Sequence, residues 1–326
     1  MVRSPFRCLL ALILALSPSA SRSWGFAAHR TINRNAVFLL PPGMIGFYKR
    51  HIGWLADHAV DPDKRRYAIP EEGPRHYIDL DRYGPPPYRG LPRDWERAVR
   101  TFGEDSLQRH GILPWWVERM RFRLTRAFRE GETSAILKTS ADIGHYIADG
   151  HVPLHASSNH NGQFTGQQGI HGFWESRLPE RHGTDYDFVI PRATYLDDPA
   201  GFFWKRVMES AAAADSVLGL EKKLSLSLPP DARYGYEPRN GTVIRQFSAL
   251  YSDTYHRMLG GMVERRMRQS MHTIASFWYT AWVDAGQPDL DSLRSPGFSD
   301  TDRAEWDSLD ARWRRDAVRG RSCDPP

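Results

Sequence analysis

His145-Tyr146-Ile147-Ala148-Asp149-Gly150-His151-Val152-Pro153-Leu154-His155 closes a helix whose patterning runs over residues 133–151. Gly150 and Pro153 supply the stop. His145 and Asp149 stand four residues apart, so an imidazole and a carboxylate share one helix face. That pairing is a rigid half-site for a divalent metal. Pro153 then turns His155 toward the same region. Outward from this helix, mixed apolar and charged faces at helical spacing recur. They predict helices over 26–40 and 43–60, separated by Pro41-Pro42, and over 93–109 and 114–130 around Gly111-Ile112-Leu113-Pro114. Long helical patterns follow at 198–225 and 241–285, with a shorter one at 301–318. The Gly- and Pro-rich pieces 84–92, 158–169 and 229–240 read as loops. No alternating strand pattern stands out, and no repeat of 20–50 residues recurs. The expectation is an all-α fold in one mostly helical domain over 24–286. A charged, poorly packed extension over 287–326 should follow it.

Composition narrows the class. The 326 residues include 40% apolar and 12% aromatic side chains, enough for a full core and incompatible with wholesale disorder. Residues 1–23 hold three arginines and no acid, so the remaining chain carries a formal charge of +2 against +5 for the whole. A basic nucleic-acid coat is thereby excluded. Arg3 and Arg7 precede the short apolar run Cys8 to Leu16 and the small-residue stretch Ser17 to Ser23. This is the pattern of a secretory signal peptide over 1–23, and it predicts a secreted or periplasmic protein without a stable membrane span. Cys8 would leave with that segment, and Cys323 alone cannot form an internal disulfide. Some other cross-link must staple the mature chain.

Three further groups carry metal-binding chemistry. His171-Gly172-Phe173-Trp174-Glu175 repeats the i, i+4 pairing of imidazole and carboxylate. Asp61 and His76, on loops before the main helix, could complete the coordination begun by His145 and Asp149. Trp24, freed by processing after Ser23, would offer an α-amine and its own carbonyl oxygen, with His29 as a further ligand. Two helical pairs plus a loop histidine exceed one tetrahedral site, so more than one ion is implied.

In this order, Trp24–His29, Asp61, His76, His145-x3-Asp149-x5-His155 and His171-x3-Glu175, the chain resembles the tri-zinc superfamily of bacterial phospholipases C and fungal-type single-strand nucleases. The resemblance covers about residues 24–180. It implies a domain built around a trinuclear zinc cluster. One ion would be held by Asp61, His76, His145 and Asp149, and a second by the Trp24 amine and carbonyl, His29 and a bridging Asp149. The third would be held by His155, His171 and Glu175. Asp61 would also bind or activate the attacking water, with Asp57 as a competitor whose spacing to His76 fits less well. The implied activity is hydrolysis of a phosphodiester by a monomer. The five-residue step from Trp24 to His29, Pro153-Leu154-His155 and Trp174 favour the nuclease branch. Glu175 and the short loop before His171 favour the phospholipase branch, which is preferred narrowly. Arg65, Arg66 and Arg75 are expected to form an ion-pair network with nearby acids, and Trp54, Phe173 and Trp174 to pack in the core. A non-catalytic metal-binding protein is the alternative from another class, whereas a peptidase lacks its His-Glu-x-x-His helix.

Overall fold

The computed structural model describes residues 25–239, 242–293 and 297–319. The signal-peptide reading, Trp24, Cys8 and Cys323 lie outside the described residues. The described chain is mostly helical. Its core is a set of packed helices: Phe26–Ala36, Leu113–Glu130, Thr133–Asp149 and Met262–Asp284. Leu113–Glu130 and Thr133–Asp149 lie side by side, joined through Gly131 in a left-handed conformation. Met262–Asp284 is the central packing element, burying Met267, Met271, Ile274, Phe277 and Trp278 on one face. The Trp278 indole N–H donates to the Ser140 carbonyl at 3.1 Å, while its ring stacks on Tyr48 at 4.9 Å. Both aromatics thus bury their area and keep their polar atoms partnered, the Tyr48 hydroxyl with that of Ser140 at 2.9 Å. Among the described residues, no helix is long and apolar enough to cross a membrane.

One glycine sets the spacing on which the candidate site depends. Gly144 lies inside the Thr133–Asp149 helix, where glycine costs about 1 kcal/mol relative to alanine. A Cβ at this position would overlap the Asn33 side chain. Asn33 sits one helical turn beyond His29 on the Phe26–Ala36 helix. The missing Cβ therefore lets the two helices approach closely enough for the His29 and His145 rings to stack at 3.9 Å.

Two expectations are corrected. The end of the expected 229–240 loop and the start of the expected 241–285 helix instead form an antiparallel hairpin, Tyr234–Arg239 with Thr242–Phe247, in register Tyr234↔Phe247 through Arg239↔Thr242. Thr242, Val243 and Ile244 are β-branched, and Asn240-Gly241 is the dipeptide that two-residue hairpin loops favour. The helical remainder then divides into Ala249–Met258, capped by the Ser248 side chain, and Met262–Asp284. The division falls at Gly260 and Gly261, both at positive φ.

The other correction concerns the region beyond 287, expected to be poorly packed. It carries the helix Asp300–Arg315, which opens with a capping box between Ser299 and Asp302. This helix docks on the body. Phe298 stacks on Trp54 at 4.9 Å, Trp306 lies 4.4 Å from the His58 ring, and Trp313 lies 4.9 Å from Phe26. Lys64–Asp310 and Lys138–Asp302 ion pairs, both at 2.7 Å, hold its two ends. The charge alternation that reads as a solvated helix hides the aromatic residues, spaced along it, that do the docking.

Gly144→Ala should lower stability by about 1–3 kcal/mol through overpacking, despite the better helix propensity of alanine. Urea denaturation measures this, and a stabilised variant would show that the helices do not approach so closely. For the docked helix, hydrogen bonds from Lys138 and from Ser299 hold the Asp302 carboxyl down to about 2. A depressed acid contributes stability above its unfolded value, which is lost as pH falls through the folded one. Asp302→Asn, or acidification from pH 4 toward 2, should therefore loosen the helix. Acrylamide quenching of the tryptophan fluorescence should rise in Asp302→Asn at neutral pH; unchanged quenching would count against the docking contacts.

Candidate metal centre

Five histidines and three carboxylates converge in three buried groups, each of which could hold a metal ion. They are His29, His145 and Asp149; Asp63, His76 and His145; and His155, His171 and Glu175. The Thr133–Asp149 helix supplies the shared members. His145 Nε2 lies 3.3 Å from Asp149 Oδ2, as their one-turn spacing requires. His76 enters from the 3-10 stretch Pro70–His76, its Nδ1 2.9 Å from the same oxygen. The other oxygen, Oδ1, faces His29 Nε2 at 3.4 Å and His155 Nε2 at 3.9 Å. Asp149 thus touches members of all three groups.

Pro153 acts as expected. The chain leaves the helix through a 3-10 turn, Pro153–Ala156, and His155 swings back to the cluster. Two reciprocal bonds clasp this turn to the His76 loop. The Ile78 N–H donates to the His155 carbonyl at 2.9 Å, and His155 Nδ1 is 2.5 Å from the His76 carbonyl. His171 and Glu175 lie where the helix beginning at Ile170 widens into a π-helical turn over Phe173–Arg177. Such widened turns are frequent at functional sites. His171 Nε2 stands 3.1 Å from Glu175 Oε2, and His155 Nε2 stands 3.5 Å from it.

The ring orientations settle which nitrogens face the centre. His145 Nδ1 lies 2.8 Å from the Ala59 carbonyl, His155 Nδ1 2.5 Å from that of His76, and His171 Nδ1 3.0 Å from that of His160. A carbonyl only accepts, so each Nδ1 is the protonated nitrogen and each neutral ring presents the Nε2 lone pair to the cluster. This is the orientation in which backbone carbonyls commonly fix metal-binding imidazoles. His155 Nε2 and His171 Nε2 consequently face each other at 3.2 Å. Two lone pairs at that distance, with a carboxylate beside them, call for a cation between them.

The buried acids call for positive charge beside them, and the protein's own groups can supply it only by protonating the imidazoles. Burial works against charge on His145, but Asp149 and Asp63 overcome it and push the imidazole up to about 9. Burial likewise opposes charge on Glu175, yet His171 and His155 draw its carboxyl down to about 2. His29 goes the other way: burial and His145 lower it, against the pull of Asp149. Glu175 is fully buried, and neither of its oxygens has a hydrogen-bond donor; Asp149 Oδ1 has none either. Acids so placed cost several kcal/mol each unless a positive charge compensates them. A donor set of imidazole nitrogens and carboxylate oxygens without sulfur suits zinc, and also manganese or iron.

Of the residues expected from sequence, His29, His76, His145, Asp149, His155, His171 and Glu175 are brought together. Asp61 is not. Its carboxylate points away, 2.6 Å from His58 Nδ1 and 3.2 Å from Lys64 Nζ, on the side covered by the C-terminal helix. Asp63 takes the place beside His76 and His145, at 3.9 and 3.7 Å. The two acids are separated only by Pro62, and the short Asp61–Arg65 helix rotates one inward and the other outward. Sequence spacing could not choose between them, although helical periodicity requires that only one face His76. Asp57 is exposed and lies 3.7 Å from Arg30. The arginines are consumed in ion pairs: Arg65 with Asp142 at 2.9 Å, Arg75 with Glu72 at 2.6 Å, and Arg66 with Asp63 at 3.7 Å. Phe173 and Trp174 are buried in the core.

Metal-free protein titrated with zinc should bind it and gain about 3 kcal/mol or more of stability at a hundredfold excess over the dissociation constant. Asp63→Asn should lose affinity, whereas Asp61→Asn should bind as the parent does. Equal losses in both variants would show that the inward and outward assignment is wrong. A scan against protein-family models and a search of curated proteins each return no match to this chain.

Proposed function

We propose that the chain is a metal-dependent phosphodiesterase, with three zinc ions held by the three buried groups and a phospholipid as the preferred substrate. The observation that carries this reading is the convergence of five imidazoles and three carboxylates with three Nδ1 atoms tied to backbone carbonyls. The resemblance of the ligand order to tri-zinc phospholipases C and nucleases supplies the reaction class. When bound, closely spaced zinc ions neutralise phosphate oxygens, lower the pKa of water toward 7 and stabilise a leaving alkoxide.

The chain's own residues have distinct parts in this reading. Asp149 holds the three groups in register through its two oxygens. His145, His155 and His171 offer Nε2 lone pairs in fixed directions, so little reorganisation accompanies binding. In this reading the Asp63 carboxylate, beside His76 and His145, would take the part expected of Asp61 and accept a proton from attacking water. In place of disulfides, the ligands would also act as a staple between the Phe26–Ala36 helix, the 59–78 segment and the 145–175 segment.

Three observations support a lipid over a polyanionic strand. The charge beyond residue 23 is only +2, the arginines near the cluster are already paired, and Phe173 and Trp174 are buried rather than offered as platforms for bases. Phe164, 64% exposed, lies in the 158–169 loop, whose His160 carbonyl fixes His171.

Zinc-loaded protein, assayed in parallel on phosphatidylcholine vesicles and on single-stranded DNA or RNA, should release phosphocholine from the vesicles. Asp63→Asn should lower the rate by about 100-fold or more, the scale of a lost acid–base group. Cleavage of nucleic acid alone would move the substrate class while keeping the centre. Full metal loading with no turnover of either would overturn the enzymatic reading in favour of a metal-binding role.

A further inference from the structure

His76 is the exception among the cluster imidazoles. It turns Nδ1 toward Asp149, 2.9 Å away, and lies 3.2 Å from His145 Nε2 through the same atom. Its Nε2 points outward, where no backbone carbonyl receives it. The group it meets there is Glu72, fully buried, with Oε1 3.6 Å from Nε2. Glu72 is itself held from three sides. Arg75 donates to Oε2 at 2.6 Å, Arg65 Nε lies 3.5 Å from the same oxygen, and the Tyr146 hydroxyl donates to Oε1. Tyr146 follows His145 directly and packs edge-on against the His76 ring at 5.4 Å. Arg65 also bonds the Tyr146 hydroxyl at 3.2 Å and pairs with Asp142 on the same helix.

A buried carboxylate so completely partnered is fixed in place, and its charge is secure. Arg75, Arg65 and the Tyr146 hydroxyl compensate the buried charge from three sides. His76 has a carboxylate on each edge, Asp149 at Nδ1 and Glu72 at Nε2, so a cation held among Asp63, His145 and Asp149 would leave its single proton to the Glu72 side.

We propose that Glu72 is a positioning residue of the centre, set on the far edge of His76 so that Nδ1, and not Nε2, is presented to Asp63, His145 and Asp149. The inference rests on the metal-centre reading and adds to it a partner outside the ligand set. It also explains why one imidazole is reversed. His145, His155 and His171 are oriented by backbone carbonyls at Nδ1 and His29 by its stacking on His145, whereas His76 faces a side chain at Nε2. Glu72 thereby links the His76 loop to the helix that carries His145 and Asp149.

The test combines a spectroscopic readout with metal affinity. In zinc-loaded protein labelled with 15N in its histidine rings, His76 should carry its proton on Nε2, and His145, His155 and His171 on Nδ1. In zinc titrations against a chromophoric chelator, Glu72→Gln should weaken one equivalent by about 10- to 100-fold and leave the remainder unchanged. Tyr146→Phe removes a donor to Glu72 but keeps the carboxylate, and should retain affinity within about threefold, the scale of a neutral donor beside an intact charge. A proton on Nδ1 of His76, or parental affinity in Glu72→Gln, would overturn the inference. The ring spectrum needs only the parent protein, so it decides the matter even if Glu72→Gln fails to fold. A parent that takes up no zinc would sink the metal-centre reading together with this one; a parent that loads fully with His76 in the other tautomer sinks this one alone.

Discussion

Everything around the candidate centre depends on one buried carboxylate. Asp149 has no exposure, and its two oxygens face four imidazoles contributed by four separate stretches of chain. Burial alone would force such an acid to take up a proton, yet His145, His155 and His29 hold it well below the usual carboxylate range. The stability of this arrangement is conditional. Removing either the acid or its positive partners would leave uncompensated charge in the interior, at a cost of about 3–5 kcal/mol. A helix end that must satisfy these demands can be neither frayed nor displaced, and the surrounding packing reflects that. Gly144 admits the Phe26–Ala36 helix, and Met262–Asp284 packs against the helices that bring His29 and His145.

The layers outside the cluster serve the same end by different means. Backbone carbonyls of Ala59, His76 and His160 set three rings, and the clasp between residues 76–78 and 155 locks the loops carrying His76 and His155 together. Beyond these lies the network of Arg65, Arg75, Glu72, Asp142 and Tyr146, in which two cations face two acids. On the opposite side of the 61–65 turn, the C-terminal helix covers Asp61 and His58 with Trp306 and Phe298. One five-residue helix thus directs Asp63 to the cluster and Asp61 to the docked extension.

The legible part of this organisation lay in local spacing. The pairs His145/Asp149 and His171/Glu175 are visible because helix geometry fixes i, i+4 neighbours, and Pro153 makes the return of His155 readable. Most of the helices follow from patterning, with their breaks at Gly103 and Gly260-Gly261 marked only by glycine. What was not legible depends on contacts far apart in sequence. The choice of Asp63 over Asp61 needs the rotation of a short helix against Ala59 and His145. The role of Glu72 needs the reversed His76 ring, and ring orientation has no signature in spacing. The hairpin at 234–247 had a signal in Asn240-Gly241 and its β-branched flank, outweighed by the long helical pattern that follows. The docked C-terminal helix was obscured by its charge, since Trp306 and Trp313 declare a partner without identifying Trp54, His58 or Phe26.

The central claim is that the three buried groups are metal sites. Anomalous diffraction at the zinc absorption edge from zinc-soaked crystals tests it most directly. Peaks are expected among Asp63, His76, His145 and Asp149, among His155, His171 and Glu175, and beside His29 with Asp149, with ligand distances near 2.0–2.2 Å, roughly the range for zinc with nitrogen and oxygen donors. Peaks confined to surface histidines, with the buried groups empty, would contradict it.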